Sequence, residues 1–593
     1  MQYPYLEEVT RYREMTNNFG GYNHQLSCQE GQFFDMKNMT SQYYPILSPR
    51  NPRGIVKKFT NPQGILDKEE LMWVDNGVLY KNGEVVRLDY KLTTTGEKTL
   101  VKMGAYVVIF PDKIWYDTES DWSGRLENTT ESGEGNEVSF SLCDSRGIKI
   151  LARDSEYYEE NEPNDGDYML SNANGKTSLK VYSSTTKTWG TVSTTYVCMT
   201  SELIGEEFKI GDGVKITIDN SKANWSGASN IFLNEENDGN ISTNVVITDR
   251  TESSITFVGI IDKECSFSNM AVKVERKVPD MAFVTECNNR LWGCSPDGHE
   301  IFCCKLGDVK NWNCFQGIST DSWRATIGSD GKFTGAITHL GYPIFFKEDG
   351  LIKVSVSGTG GHQLKETKCR GVQKGSDKSL SILNETLYYK SPFGVCMYTG
   401  SLPVGISDEL GDVRYTDAIA SSVGDRYYIS MKDKEGKSHL FVYDTKNGIW
   451  CKEDDTKITA FCKHEDDLYF IDANDKTMKS VRGTMLYGST ETEGKIPWYV
   501  ETGNIGYTMA DNKYISRINL RISLDFGTNV DFYIQYDSSG EWEHKFNMSG
   551  KGTRSFTIPI IPKRCDHFKY KLVGKGGCKI HSITKTLEQG SDI

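Results

Sequence analysis

The sequence predicts an all-β protein: a β-propeller of about seven blade-like units, carrying an inserted small β-barrel domain and followed by a C-terminal jelly-roll-like β-sandwich. Three observations predict this. Aromatic residues make up 11% of the chain, with 31 Tyr and 11 Trp, and such side chains favour a pleated, half-buried surface. Apolar stripes with the i, i+3, i+4, i+7 spacing of an amphipathic helix are nearly absent. Short alternating runs bounded by turn dipeptides recur every 40 to 50 residues or so, the roughly 40–50-residue period of propeller repeats with about four strands per blade.

Composition sets the outer limits. With 37% hydrophobic and 25% charged residues and 56 Gly, the chain has the make-up of a folded protein rather than a disordered one. No run approaches the roughly 18 apolar residues of a membrane helix, so membrane insertion is not expected. The opening MQYPYLEEVTRYREM is charged and has no apolar core of a secretory signal, which predicts folding and assembly in a cytoplasm. The 15 cysteines are odd in number and include the adjacent pair Cys303 and Cys304. A fully paired disulfide framework is thereby excluded, and reduced, mostly buried thiols are predicted.

Residues 1–60 are rich in Asn, Gly, Tyr and Pro with weak alternation, and are predicted to be an extended arm. Phe19, Tyr22, Asn23, Tyr43, Tyr44 and Pro45 are its candidate docking residues, because aromatics on an irregular segment commonly mark a partner surface. Packing on the chain's own propeller is the alternative. Arg50 and Arg53 flank Pro52 and suit either an acidic partner or an internal salt bridge.

The propeller is expected at 61–117 and 278–483. MWVDNGVLYKNGEVVRL and YVVIFPDKIWYDTES read as hairpins with Asn-Gly and Pro-Asp turns, and the texture resumes at AFVTECNNRLWGC and ends at DLYFIDANDKTMKSV. An Asp followed by Trp recurs at Asp117/Trp122, Asp308/Trp312 and Asp444/Trp450. The carboxylate is expected to cap a tight turn, and the indole to fill the wedge between neighbouring blades.

Residues 118–277 interrupt that rhythm. They hold 15 Lys and Arg against 27 Asp and Glu, a balance of −12 within a chain whose total is −13. FKIGDGVKITI and NVVITDRTESSITFVG predict paired strands of the inserted β domain, while ESGEGNEVS and EYYEENEPNDGDY predict solvated loops. Asp165 and Asp167 lack the full calcium-loop pattern.

Residues 484–593 show longer alternating strands and form the predicted β-sandwich. A basic stripe, Lys563, Arg564, Lys569, Lys571 and Lys575, continues through Lys579 and Lys585 against the single acid Asp566. Alternation puts Lys569 and Lys571 on one strand face and Phe568 and Tyr570 on the other. That face is either solvated or set against DNA phosphates or an acidic neighbour.

Catalytic signatures are absent: no P-loop, no dinucleotide-binding glycine motif after a strand, no H-E-x-x-H and no G-x-S-x-G. No cofactor, catalytic residue or metal site is predicted. His299, His339, His362 and His464 are scattered. Cys287, Cys294, Cys303, Cys304 and Cys314 cluster near His299 but not at zinc-ribbon spacing, and the strand pleat sends Cys303 and Cys304 to opposite faces. A propeller hydrolase with axial carboxylates is the enzymatic alternative, and DSSGEW at Asp537 lacks the order of a sialidase Asp-box.

The segments FGGYNHQL and EGQFFDMKNMTSQYYPILSPR, then ERKVPDMAFVTECNNRLWGC, FKEDGLIKV, GVQKGSDKSL and finally IPKRCDHFKYKLVGKG together resemble virion proteins of tailed bacteriophages, the packaged-DNA stabilization and tail-nozzle type. The resemblance covers most of the chain and its motifs are structural. It implies a non-enzymatic ring, commonly sixfold, of copies of this chain below the portal and adaptor, at the head-to-tail junction or in the tail. It also implies contacts with other tail proteins and passage or retention of double-stranded DNA. A tail-tip receptor- or glycan-binding role is the alternative expectation.

Overall fold

The computed structural model describes residues 11–132, 136–173, 176–218, 234–235, 241–268, 272–357 and 361–589. Regular structure is nearly all β. Among the described residues, helix is confined to the single turn Tyr157–Glu160 and to short 3-10 turns such as Asp377–Ser379.

Six four-stranded antiparallel sheets follow one another at 62–85, 99–125, 283–326, 335–368, 381–405 and 416–452. A seventh begins with three strands at 458–480 and is completed from the other end of the chain. Gly54–Lys58 pairs antiparallel with Thr477–Ser480, in register Thr477 to Lys58 and Ser480 to Gly54. The first strand of each sheet touches the first strand of the next: Pro62–Lys68, Thr99–Met103, Phe283–Glu286 and Gly335–His339 in turn. From there the turn Asp377–Ser379 leads to Thr416–Val423, which touches Ile458–His464, which returns to Pro62–Lys68. The sheets therefore form a closed ring.

Ring packing explains the sequence texture. Strands such as Glu70–Asp75, Tyr342–Lys347 and Asp467–Asp472 are buried along nearly their whole length, because each lies inside a sheet covered on both faces by its neighbours. They read as continuous apolar runs rather than clean alternation. Their hairpins use the expected chemistry: Asn76-Gly77 and Asn82-Gly83 all have φ between +50° and +87°, the geometry of tight primed turns that only Gly, Asn and Asp adopt readily.

The Asp–Trp pairs divide. All three carboxylates cap turns: Asp117 accepts from Glu119 N at 3.0 Å, Asp308 from Lys310 N at 3.0 Å, and Asp444 from Lys446 N and Asn447 N, both at 3.1 Å. Trp312 and Trp450 are buried between sheets, Trp450 donating to Ile406 O at 2.7 Å. Trp122 is 69% exposed and fills no wedge. The neighbouring hairpin is closed instead by Tyr116, whose hydroxyl meets Asp121 at 2.5 Å.

The interruption begins later than 118, because Ser123–Arg125 is the fourth strand of the second sheet. From Asn128 to Arg276 a separate strand path runs around the apolar cluster of Val138, Phe140, Val197, Ile216 and Phe257. It carries a nested four-stranded sheet at 152–191, absent from the sequence expectation. Among the described residues the path's two end strands, Asn128–Glu131 and Cys265–Ser268, do not pair with each other. Arg276 fixes this region to the ring, bonding Asp212 at 2.5 Å and Leu126 O at 3.1 Å. Of the two expected acidic loops, 133–135 lie outside the described residues, and the second holds the exposed turn Tyr157–Glu160.

The C-terminal region is not self-contained at 484–593. One nine-stranded sheet runs Arg11–Thr16, Cys578–Gln589, Lys513–Tyr536, Phe568–Lys575, Pro497–Thr502, Gln32–Lys37, Gly21–Tyr22, so both ends of the chain share it. Its spine is the 24-residue strand Lys513–Tyr536. The first half pairs with Cys578–Gln589 and the second with Phe568–Lys575, while Glu543–Ile558 follows the opposite edge. One apolar core joins this sheet to the sixth sheet of the ring, with Trp498, Ile515 and Leu572 continuous with Tyr22, Phe441 and Trp450.

Candidate functional site

Three features have the burial and chemistry to bear function: the axis of the ring, a charged knot where the chain ends meet, and the open edge of the shared sheet.

A cavity of about 430 Å3 occupies the axis and touches every sheet in turn: Ile65, Leu100, Val284, Ala336, Leu380, Ile419 and Ala460. Its lining mixes apolar and polar groups. Its polar groups include Glu97, Lys98, Thr99 and Ser421, together with Asp377 and Lys378 of the turn Asp377–Ser379, which takes the place of a longer first strand in the fifth sheet, where that strand is only Ser381–Leu383. Lys378 Nζ bonds the Glu97 carboxylate ahead of the second sheet and Thr459 O of the seventh at 3.0 Å, so its side chain lies across the middle of the ring. Burial pushes Lys378 down to about 8, still charged at neutral pH, and raises the Asp377 carboxyl above its ordinary value. At one mouth Asp417 is held by Lys432 at 2.8 Å. Two of the three axial carboxylates are thus tied to lysines.

Arg50 and Arg53 are internal. Arg53 is 1% exposed and bonds Glu453 at 2.5 Å and Asp454 at 2.7 Å, and Arg50 bonds Glu493 at 2.6 Å and Asp454 at 3.3 Å. The arginines hold Asp454 down at about 2 against the opposing effect of burial, and Glu493 below the usual carboxylate range. This knot sits beside Gly54–Lys58, where the chain closes the seventh sheet. Of the two readings of these arginines, the internal salt bridge is correct.

The expected docking arm is corrected at three of its six residues. Phe19, Tyr22 and Asn23 are buried, Phe19 on Phe33 with ring centres 6.1 Å apart and Tyr22 on Phe441 at 5.6 Å. They fill the core between the shared sheet and the sixth sheet, because Gly21–Tyr22 pairs with Gln32–Lys37, which in turn pairs with Pro497–Thr502, and no free arm is left. Tyr43 and Tyr44, at 39% and 37% exposure, and Pro45 remain at the surface. Even there the loop is pinned, with Lys579 Nζ 3.9 Å from the Tyr43 ring centre and Phe19 N donating to Pro45 O at 3.2 Å.

The basic stripe alternates as expected along Phe568–Lys575, with Phe568, Tyr570 and Leu572 inward. Its outward cations are largely engaged. Lys571 meets Glu501 at 3.4 Å and lies 4.8 Å over Tyr499, Lys563 meets Glu543 at 3.4 Å, and Lys569 stands 5.5 Å over Phe34. Arg564 and Lys575 are exposed, while Lys585, at the far end, is buried between Glu14 and Glu30.

The cysteines are free and mostly buried. Cys303 and Cys304 do point to opposite faces, into the cores on either side of the third sheet. Burial pushes the thiols of Cys287, Cys303 and Cys314 up to about 11 and that of Cys294 to about 12. His299 is exposed. Among the described residues no group of three His, Cys, Asp or Glu side chains is placed to hold a metal ion.

The third feature was not anticipated from sequence. Glu543–Ile558 is 16 residues long, is exposed over most of its length and, among the described residues, pairs only with Lys513–Tyr536. Its other edge presents an unspent row of backbone donors and acceptors.

No protein family matches the chain, and no curated protein sequence matches it. Among solved structures it is similar to BamB from Moraxella catarrhalis, with 11% identity, 72% of this chain and 97% of that one covered, and a TM-score of 0.31. An exo-β-1,3-galactanase from Phanerochaete chrysosporium matches at 8% identity over 50% of this chain and 92% of that one, TM-score 0.21. A puromycin hydrolase matches at 11% over 72% and 62%, TM-score 0.22. At such scores neither fold nor function is transferred.

Proposed function

We propose that this chain is a non-enzymatic structural subunit of a tailed-phage virion, at the head-to-tail junction or in the tail, where copies of it join into a ring that stabilises packaged DNA and its channel. In this reading the closed cycle of sheets is a seven-bladed β-propeller, the region 128–276 is a small barrel-like domain inserted in one of its loops, and the shared sheet is the connecting module. Portal, adaptor and other tail proteins are the expected neighbours.

The observation that carries the reading is the open edge at Glu543–Ile558. A long strand with one edge unpaired is a template for strand addition, and addition of a neighbour's strand supplies directional main-chain bonds without moving parts. The chain's other strong interactions turn inward: Arg50, Arg53 and Phe19 all serve closure of the monomer.

The test is assembly. Purified protein is imaged by electron microscopy alongside Arg554→Pro and Ser555→Pro variants. Neighbouring residues of an edge strand aim their N–H groups alternately inward and outward, so one of the two removes only an outward donor. Rings from the wild type, and monodisperse folded monomers from that variant, are expected. Folded wild-type monomers that adhere to host cell walls, or that release reducing sugar from them, overturn the scaffold reading in favour of host binding or hydrolysis.

A further inference from the structure

On one face of the ring two adjoining hollows, of about 360 and 350 Å3, open between the sixth sheet, the segment leaving the seventh, and the loop that follows Met39–Thr40. Gln42, Val423, Arg426 and Arg482 line both, and Lys446 lines the second. The hydrogen-bonding of this cleft is one-sided.

Its carboxylates are hydrogen-bonded, and Glu453 is also ion-paired. Asp444 accepts from Ser41 Oγ at 2.5 Å, from Asn447 Nδ2 at 3.0 Å, and from the two backbone N–H groups of its turn. Asp425 accepts from Asn384 Nδ2 at 3.3 Å, and Glu453 is taken by Arg53. Arg50, which also lines the first hollow, is turned to Glu493 and Asp454. The cations lack such partners, apart from the hydrogen bond of Arg426 with the Tyr428 hydroxyl. Among the described residues, Arg426, Arg482 and Lys446 make no ion pair within 4.0 Å, although Arg426 stands directly across the strand pair from Asp444. Arg426 Nε is buried with no hydrogen-bond partner. A buried guanidinium N–H left unpaired costs free energy, and a ligand oxygen in the cleft would recover it.

We propose that this cleft is an oxyanion site that takes a phosphate group. Guanidinium groups present planar forks that match phosphate oxygens, and the three cations without an ion pair outnumber the two carboxylates, Asp425 and Asp444, that line the second hollow with them. The hollows are wide enough for the group attached to the phosphate. That phosphate is carried either by a small phosphorylated molecule or by a nucleic-acid end or backbone. The site does not depend on the virion role proposed above.

The experiment uses the full chain. Binding of inorganic phosphate is followed by the linewidth of its 31P resonance, in the wild type, Arg482→Gln, Arg426→Gln and Lys446→Ala. Arg482 and Lys446 extend from surface positions, so their variants remain folded even where Arg426→Gln is impaired, and thermal melting in chloride verifies that. Phosphate also stabilises folded proteins by exclusion from their surface, so the readout is the difference between variants. Saturable binding that weakens about tenfold or more in Arg482→Gln is expected, the scale of one lost charge-assisted bond. A second arm adds a short 5′-phosphorylated duplex: displacement of phosphate by the duplex assigns the site to nucleic acid, and displacement only by a sugar phosphate assigns it to a small molecule. Absence of saturable binding to the wild type, or equal affinity in Arg482→Gln and Lys446→Ala, overturns the proposal.

Discussion

Arg53 Nη1 stands 2.7 Å from Asp454 Oδ2, a contact between residues 401 positions apart in the chain. It ties the strand that closes the ring to the loop after the sixth sheet. With Arg50, Glu453 and Glu493 it forms a buried knot whose members cannot be removed singly without leaving a charge unpaired.

Acid should therefore loosen the closure. Asp454 titrates at about 2 in the folded chain against 3.8 ordinarily. A depressed carboxyl contributes stability that is present above the unfolded value and is lost as pH falls through the folded one, here between about pH 4 and pH 2 and amounting to about 2 kcal/mol. Urea midpoints measured across that window should fall steeply. Arg53→Met should cost about 3–5 kcal/mol at neutral pH and flatten the acid dependence.

Trp450 and Trp122 carry the same local sequence signal and opposite burial. Trp450→Ala, which empties space between Phe441, Tyr443 and the shared sheet, should cost about 3–5 kcal/mol. Trp122→Ala should change stability by less than about 0.5 kcal/mol. Equal losses in a denaturant series would contradict the placement of either indole.

Removal of residues 1–40 should destabilise the monomer rather than merely prevent association. Gln32–Lys37 pairs with Pro497–Thr502, and Phe19, Tyr22, Phe33 and Met36 are in the core. Truncated protein is expected to aggregate or to bind a hydrophobic dye strongly. A soluble truncation that melts like the full chain would show that these strands are dispensable.

The buried thiols should resist alkylation in the native state. Cys294 is pushed up to about 12 and is fully covered, and the thiolate is the reactive form. Mass spectrometry after brief iodoacetamide treatment should find label at Cys28 or Cys369, which are partly exposed, well before Cys294, Cys303 or Cys304.

The all-β class and the recurring sheets were legible because their signals are local: Asn-Gly turns, apolar runs and capping aspartates lie within a few residues of what they build. Burial of Trp312 was visible in the same way, and its failure at Trp122 shows the limit, since the spacing fixes the turn but not the neighbour. What was not legible is long-range. GIVKK at 54–58 is too short to announce itself as a strand of a sheet whose other strands lie more than 400 residues on. Phe19 and Tyr22 sit in irregular, glycine-rich sequence that resembles a free arm, and only pairing of Gly21–Tyr22 with Gln32–Lys37, itself paired with 497–502, turns it into core. The axial lysine and the arginines of the cleft depend on which loops meet, which periodicity does not encode.

Lys378 has a consequence for transport. Its side chain, held by Glu97 and Thr459 O, lies across the middle of the ring, so nothing as broad as a nucleic-acid duplex passes through a single copy. If DNA moves through an assembly of this protein, it moves between subunits, and the bore is then set by how many copies close the circle. Widening or narrowing such a conduit is a matter of changing the seams, while each subunit behaves as a solid brick.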